Sequence, residues 1–315
     1  MATLNGYSEE IKACYNNVLL PIQRRYDKVR RRIMINYLII GFVIFAAFIF
    51  EALTWMLIGI IVVITFVFLY IKWFWIDREK FERQYHRAMY HAGAETLLKQ
   101  SQWHFDDQAY LDLNTLNKSA LLSHKPQELD GYLRLDIKDE NSDTVLSDLT
   151  AESTFRDKMG QSNSVMLFSG LVWKSNPKKE VLLAEGGINI LGDYEFDAFP
   201  DQIWKARNWV DLSAEIDKEN LQYQGNKHAE IDNIFSSSLL THIEAYRTRT
   251  GKTIRLSLID STLYGMISNE GPRFPVNIFK SLVDSKSAIE WLEDLQLAHF
   301  ICKKTTGNPR TFSTT

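Results

Sequence analysis

Two stretches without a charged side chain, residues 33–50 and 52–71, constrain this 315-residue chain more than anything else in it. They read IMINYLIIGFVIFAAFIF and ALTWMLIGIIVVITFVFLYI. As helices they would span about 27 and about 30 Å, close to the thickness of a hydrocarbon core. One crossing needs only about 20 residues, so the whole stretch is too long for a single span. Glu51 separates the runs, beside Thr54 and Trp55. A charge is costly at mid-bilayer and cheap in a turn outside it. The runs therefore predict a two-helix transmembrane hairpin over 33–76 that turns near Glu51. They start too late and last too long for a cleaved signal peptide.

Flanking charge predicts the orientation. Arg24, Arg25, Lys28, Arg30, Arg31 and Arg32 precede the first run, and Lys72, Arg78, Lys80, Arg83 and Arg87 follow the second. Positive flanks stay cytoplasmic, and Trp73 and Trp75, with Tyr70 and Phe74, suit an aromatic belt at the second exit. The expectation is a multi-pass protein of the bacterial inner membrane with both termini cytoplasmic and the lipid bilayer as a partner. Residues 1–100 carry 13 Lys and Arg against 8 Asp and Glu, and the other 215 carry 23 against 31. A pI near 6.2 argues against a nucleic-acid partner. Cys14 and Cys302 are too few for a disulfide framework.

Residues 1–32 read as an N-terminal amphipathic helix, with Ile11, Tyr15, Val18, Leu19 and Ile22 at helical spacing. A stalk helix follows over 77–100, where Phe81, Tyr85, Met89 and Leu97 form a stripe and His86 and His91 read as surface residues. Residues 101–304 form a mixed α+β domain, and 305–315 a disordered tail. Its predicted strands are 132–137, 144–149, 164–173, 180–184 and 209–216, then a hairpin of 252–260 and 262–268 around Asp260 and Ser261. Turns are expected at 176–179 and 185–187. Helices are expected over 228–249, stopping at Gly251, and over 286–300. The fold class is thus α+β: a transmembrane hairpin followed by a cytoplasmic mixed domain.

No HExxH, CxxC pair, GxSxG or Walker glycine loop is present, so no catalytic residue, metal or cofactor is assigned. Asp139, Asn141 and Asp143 open like a calcium loop, but Thr144 and Thr150 stand where Gly and Glu are required, and a polar β-turn is the better reading. Asp106 and Asp107 are sequence neighbours whose side chains diverge, which suits a loop or helix start. Lys227 and His228 enter the helix predicted from 228, beside Glu230 and Asp232. A helix start with a Lys and a His can hold an anion, and these two are the weak ligand-binding candidates. The acids there also serve the simpler role of complementing the helix dipole.

The succession LLPIQRRYDKVRRR, MLFSGLVWKSN, LQYQGNKHAEIDNIFSSSLLTHI and IRLSLIDSTLYGMISNEG resembles a bacterial domain-of-unknown-function family labelled galanin, unrelated to the animal peptide. Phe168, Ser169 and Gly170 match its F-x-G-like turn, and Tyr223 its following aromatic. Asn226 stands where that family has Asp, and His228, Ala229 and Glu230 fit its helix start loosely. The resemblance implies an inner-membrane protein with a cytoplasmic domain and no assigned activity.

The expected function is a membrane-anchored, non-enzymatic protein that presents its domain to a protein partner, as adaptor, scaffold or complex subunit. The alternatives are a membrane-associated enzyme with an unrecognised site, or a small-molecule or nucleotide sensor near Gly225–His228. Gly41, Ala46, Ala47 and Gly59 permit close helix approach, so a homo-oligomer is also expected.

Overall fold

The computed structural model describes residues 9–51, 80–99, 101–107, 109–122, 126–140, 142–156, 162–178, 186–190, 210–211, 221–225, 235–269, 273–277 and 279–306. They fall into two compact units, one drawn from 1–96 and 274–289, the other from 97–273 and 290–315.

The first unit opens with α1 (Glu9–Cys14), a π-helical turn (Tyr15–Leu19) and α2 (Leu20–Glu51). Ile11, Tyr15 and Leu19 of the expected stripe are buried. A third helix, α3, is described over 80–97 and buries Phe81, Tyr85 and Met89. Polar side chains fasten the remote segment 274–284. Asp27 accepts from the Leu282 amide at 3.0 Å, Gln23 donates to the Asp284 carbonyl at 2.9 Å, and Tyr85 donates to the Leu282 carbonyl at 3.3 Å. Phe274 lies edge-on to Tyr85 and Tyr90, with ring centroids 6.3 and 5.3 Å away. His86 is no free surface residue, because its ring N–H donates to the Phe274 carbonyl at 2.9 Å.

The expected transmembrane hairpin is overturned. Among the described residues no helix is long and apolar enough to cross a membrane. α2 is one continuous helix of 32 residues, and its segment 20–32 carries seven charged side chains, which hydrocarbon does not accept. Glu51, expected in a turn, is the last residue of α2. The second run, 52–71, lies outside the described residues, as do Trp73 and Trp75. The multi-pass inner-membrane localisation falls with the hairpin.

Among the described residues the second unit has nine strands: β1 (Gln102–Asp106), β2 (Glu128–Lys138), β3 (Ser142–Arg156), β4 (Ser162–Pro177), β5 (Gly186–Ile190), β6 (Val210–Asp211), β7 (Leu221–Gly225), β8 (Ile254–Ile259) and β9 (Thr262–Ser268). They form one antiparallel sheet in the order β1-β2-β3-β4-β9-β8-β5-β7-β6. Its long central strands carry mainly apolar and small residues, and Trp173 on β4 lies opposite Gly265 on β9. A Cβ at Gly265 would collide with the Trp173 ring, so the missing side chain is the space the indole fills. Leu111, Leu121, Leu149, Phe168, Val172 and Met266 belong to a core cluster that includes Leu116 of α4 (Leu113–Lys118). α4 starts at Asp112, whose carboxylate accepts from the Thr115 amide at 2.8 Å.

Two further helices are described, α5 (Ser237–Thr250) and α6 (Ser285–Thr306). Ser236 caps α5, and Gly251 ends it at φ 69°, with its N–H on the Arg247 carbonyl at 2.7 Å. Asp260 and Ser261, at φ 49° and 59°, make the two-residue turn of the β8–β9 hairpin. The strand expected at 180–184 and most of that at 209–216 lie outside the described residues. Gly186 and Gly187, expected in a turn, instead begin β5.

Candidate functional site

Charged side chains of the second unit converge inside it. On α6, Glu290, Glu293 and Asp294 stand three and four residues apart, which puts them on one helix face. On α5, Tyr246 and Arg249 are likewise neighbours at three residues. Asp294 is 0% exposed and holds the centre. Lys252 approaches its carboxylate at 2.9 and 3.2 Å, Arg273 pairs with it, and the Tyr246 hydroxyl donates to it. Lys252 also lies 3.5 Å from Glu290. Arg273 reaches onward to Asp148 of β3 at 2.9 Å, and Arg249 pairs with Glu293 at 2.8 Å.

Burial works against an ionised Asp294, but Arg273, Lys252 and the Tyr246 hydroxyl overcome it and hold the carboxyl below its usual range. The balance reverses at Glu293. Burial and the neighbouring Asp294 charge outweigh the attraction of Arg249 and push that carboxyl up to about 7. Burial raises the Tyr246 hydroxyl too, reinforced by the Asp294 charge. A carboxyl that titrates near neutrality suits proton transfer, but structural ion networks produce the same shift. Here Glu293 is ion-paired with Arg249 and its side chain is 2% exposed. The geometry is that of a clamp tying α5, α6 and the entrance to β8 to β3, with opposite charges paired inside.

The second feature is an open strand edge. β3 and β4 pair from Ser142 opposite Pro177 to Arg156 opposite Ser162, with one bulge at Leu167, which lies between the pairs Ala151–Phe168 and Glu152–Met166. β9 accompanies β4 only from Gly170 to Ser175. The parting is fixed at Gly170, whose φ of 146° suits glycine alone, and a Cβ there would collide with the Ile267 carbonyl oxygen. Just beyond it the Asn269 amide caps the Ser169 carbonyl at 2.7 Å. From Ser162 to Leu167 no strand pairs with the outer edge of β4 among the described residues. That edge reads SNSVML, without a charge or a proline, and Val165 and Met166 are 45% and 50% exposed.

The residues singled out from the sequence fare unevenly against this geometry. Lys227 and His228 lie outside the described residues. Arg24, Arg25, Arg31 and Arg32 are exposed on α2, whereas Arg30 is buried against Asp27 at 2.8 Å. Asp139 and Asp143 flank the β2–β3 turn, where the Asp139 amide bonds the Ser142 carbonyl at 2.9 Å. Asp106 ends β1. Among the described residues no group of His, Cys, Asp and Glu has the geometry to hold a metal ion, and Cys14 and Cys302 are buried and joined in no disulfide. Sequence reasoning missed the ionic cluster altogether. The one available signal was three acids on an α6 face flanked by Trp291, Leu292 and Leu295, where a solvated face would carry fewer apolar neighbours.

Residues 222–304 match a family described as "Protein of unknown function (DUF3137)". The matched segment holds every member of the ionic cluster except Asp148. It supports an uncharacterised domain family; neither the galanin label nor N-terminal transmembrane helices come with it. No curated protein and no solved structure matches the chain.

Proposed function

We propose that this chain is a non-enzymatic binding protein, an adaptor or complex subunit, whose sheet unit receives an extended segment of a protein partner along the open edge of β4. The observation that carries this reading is that, among the described residues, no strand pairs with the outer edge of β4 from Ser162 to Leu167. Natural edge strands are blunted by charges, prolines or neighbouring cover, because free N–H and C=O groups recruit another strand. This edge has neither charge nor proline, and among the described residues it runs on past the end of its pairing with β9. Main-chain hydrogen bonds would supply affinity in such strand addition, and Val165 and Met166, on opposite faces, would select apolar side chains in the partner.

The test is crosslinked affinity capture with wild type and with Ser164→Pro and Val165→Lys, after circular dichroism confirms folding. A captured partner should protect the amides of 162–167 from hydrogen exchange, and both variants should lose it by tenfold or more. Full retention of the partner by both variants, or no reproducible partner at all, would sink the proposal.

A further inference from the structure

We infer that the exposed face of α2 docks on an anionic lipid surface. At roughly 100° per residue, with Arg24 set at zero, Lys28 lies at about +40°, Arg31 at about −20°, Arg32 at about +80° and Arg25 at about +100°. All five cations are exposed. The same projection puts Ile35 at about +20°, Leu38 at about −40°, Phe42 at about 0° and Phe45 at about −60°. These four are exposed as well, Phe42 to 71%. One side of the helix is therefore cationic over 24–32 and apolar over 35–45. Gln23, Asp27 and Arg30, between about −60° and −120°, are buried and engaged within their own unit, with Asp27 bonded to Arg30, Arg31 and the Leu282 amide.

Charge complementarity selects the partner's outer layer, and the apolar segment selects what lies beneath it. Nucleic acid offers phosphates but nothing for four large apolar side chains. An anionic bilayer stacks the two chemistries in the order in which α2 presents them. Lying obliquely in the interface, this face would dip roughly 5–10 Å into the boundary between headgroups and acyl chains. The docking is thus to one leaflet. Arg24, Arg25, Lys28 and Arg32 would meet headgroup phosphates, while Leu38 and Phe42 enter the acyl layer.

Co-sedimentation of the full chain with vesicles tests this, comparing pure phosphatidylcholine with a mixture containing roughly one-third phosphatidylglycerol. Wild type should bind the anionic vesicles at least tenfold more tightly, and less so as salt is raised. The triple variant Arg24→Gln, Arg25→Gln, Lys28→Gln should weaken binding on the order of 100-fold, at about one factor of five per charge. These positions are solvent-facing, so folding should survive. A second readout uses an environment-sensitive dye on Phe42→Cys, with Cys14 and Cys302 replaced by Ser; brominated acyl chains should quench it. Ser164→Pro should leave vesicle binding unchanged, which separates this proposal from the partner-binding one. Absent binding, equal affinity for both vesicles, an unquenched dye, or preferential binding to polyglutamate or duplex nucleic acid would overturn it.

Discussion

Burial pushes the Glu293 carboxyl from its ordinary 4.5 up to about 7, and the sign of the consequence is fixed. Between those values the folded chain keeps a proton that the unfolded chain has released. This group's contribution is therefore complete below about pH 4.5 and lost as the pH rises through about 7. With neighbouring charges and solvent moderating the shift, the loss is on the order of 1–3 kcal/mol. Glu293→Gln should flatten the decline between pH 5 and 8 in urea denaturation and stabilise the protein at pH 8; an unchanged slope would refute the assignment. Asp294 differs because its charge is needed. Asp294→Asn leaves Lys252 and Arg273 buried without their central anion and should cost about 3–5 kcal/mol at pH 7. At Gly170 the backbone itself forbids a side chain. Gly170→Ala must move the Ile267 carbonyl or abandon φ 146°, and should cost about 2 kcal/mol or more in the same assay.

Helix ends separate what could be read locally from what could not. Ser236→Ala should cost about 1 kcal/mol, because the hydroxyl accepts from the Leu239 amide at the start of α5; thermal unfolding is the measurement. The other end of α5 was legible at Gly251, since a left-handed C-cap has a glycine signature in the chain itself. The β8–β9 hairpin was legible for a similar reason, as two alternating apolar runs separated by Asp260 and Ser261. β1, β5 and β7 were not. Each is five residues long, and what makes Gly186–Ile190 a strand is pairing with β7 and β8, which local sequence does not encode. The ionic cluster is illegible for the same cause. Lys252, Arg273 and Asp294 are ordinary charges until β8, β3 and the two last helices meet. Arg30 misled in the opposite direction, because its place in a basic run looked topological while Asp27, three residues earlier, held it in the interior. The apolar runs were plain, but the membrane crossing drawn from them did not follow, since one helix joins the first run to the charged segment before it.

At the scale of the whole molecule, the chain leaves the first unit and comes back to it. Residues 274–289 belong with the first 96, so removing those 96 would take away the groups that hold Leu282 and Phe274. A chain lacking residues 1–96 should become cleavable by trypsin at Lys280 while the amides of β3, β4, β8 and β9 keep their protection from exchange. Mass spectrometry of the digest would show it, and an uncut 274–284 would argue against the division. The same excursion sets a clock during synthesis. The Asp27 carboxylate and the Leu282 amide that it accepts from are 255 residues apart. At ribosomal speeds of about 5–20 residues per second, the nascent helix must wait roughly 13–50 s for the segment that completes its packing. Throughout that interval the Tyr85 hydroxyl and the Asp27 carboxylate emerge before their last partners exist, so the newborn N-terminal region waits with its polar anchors unfilled.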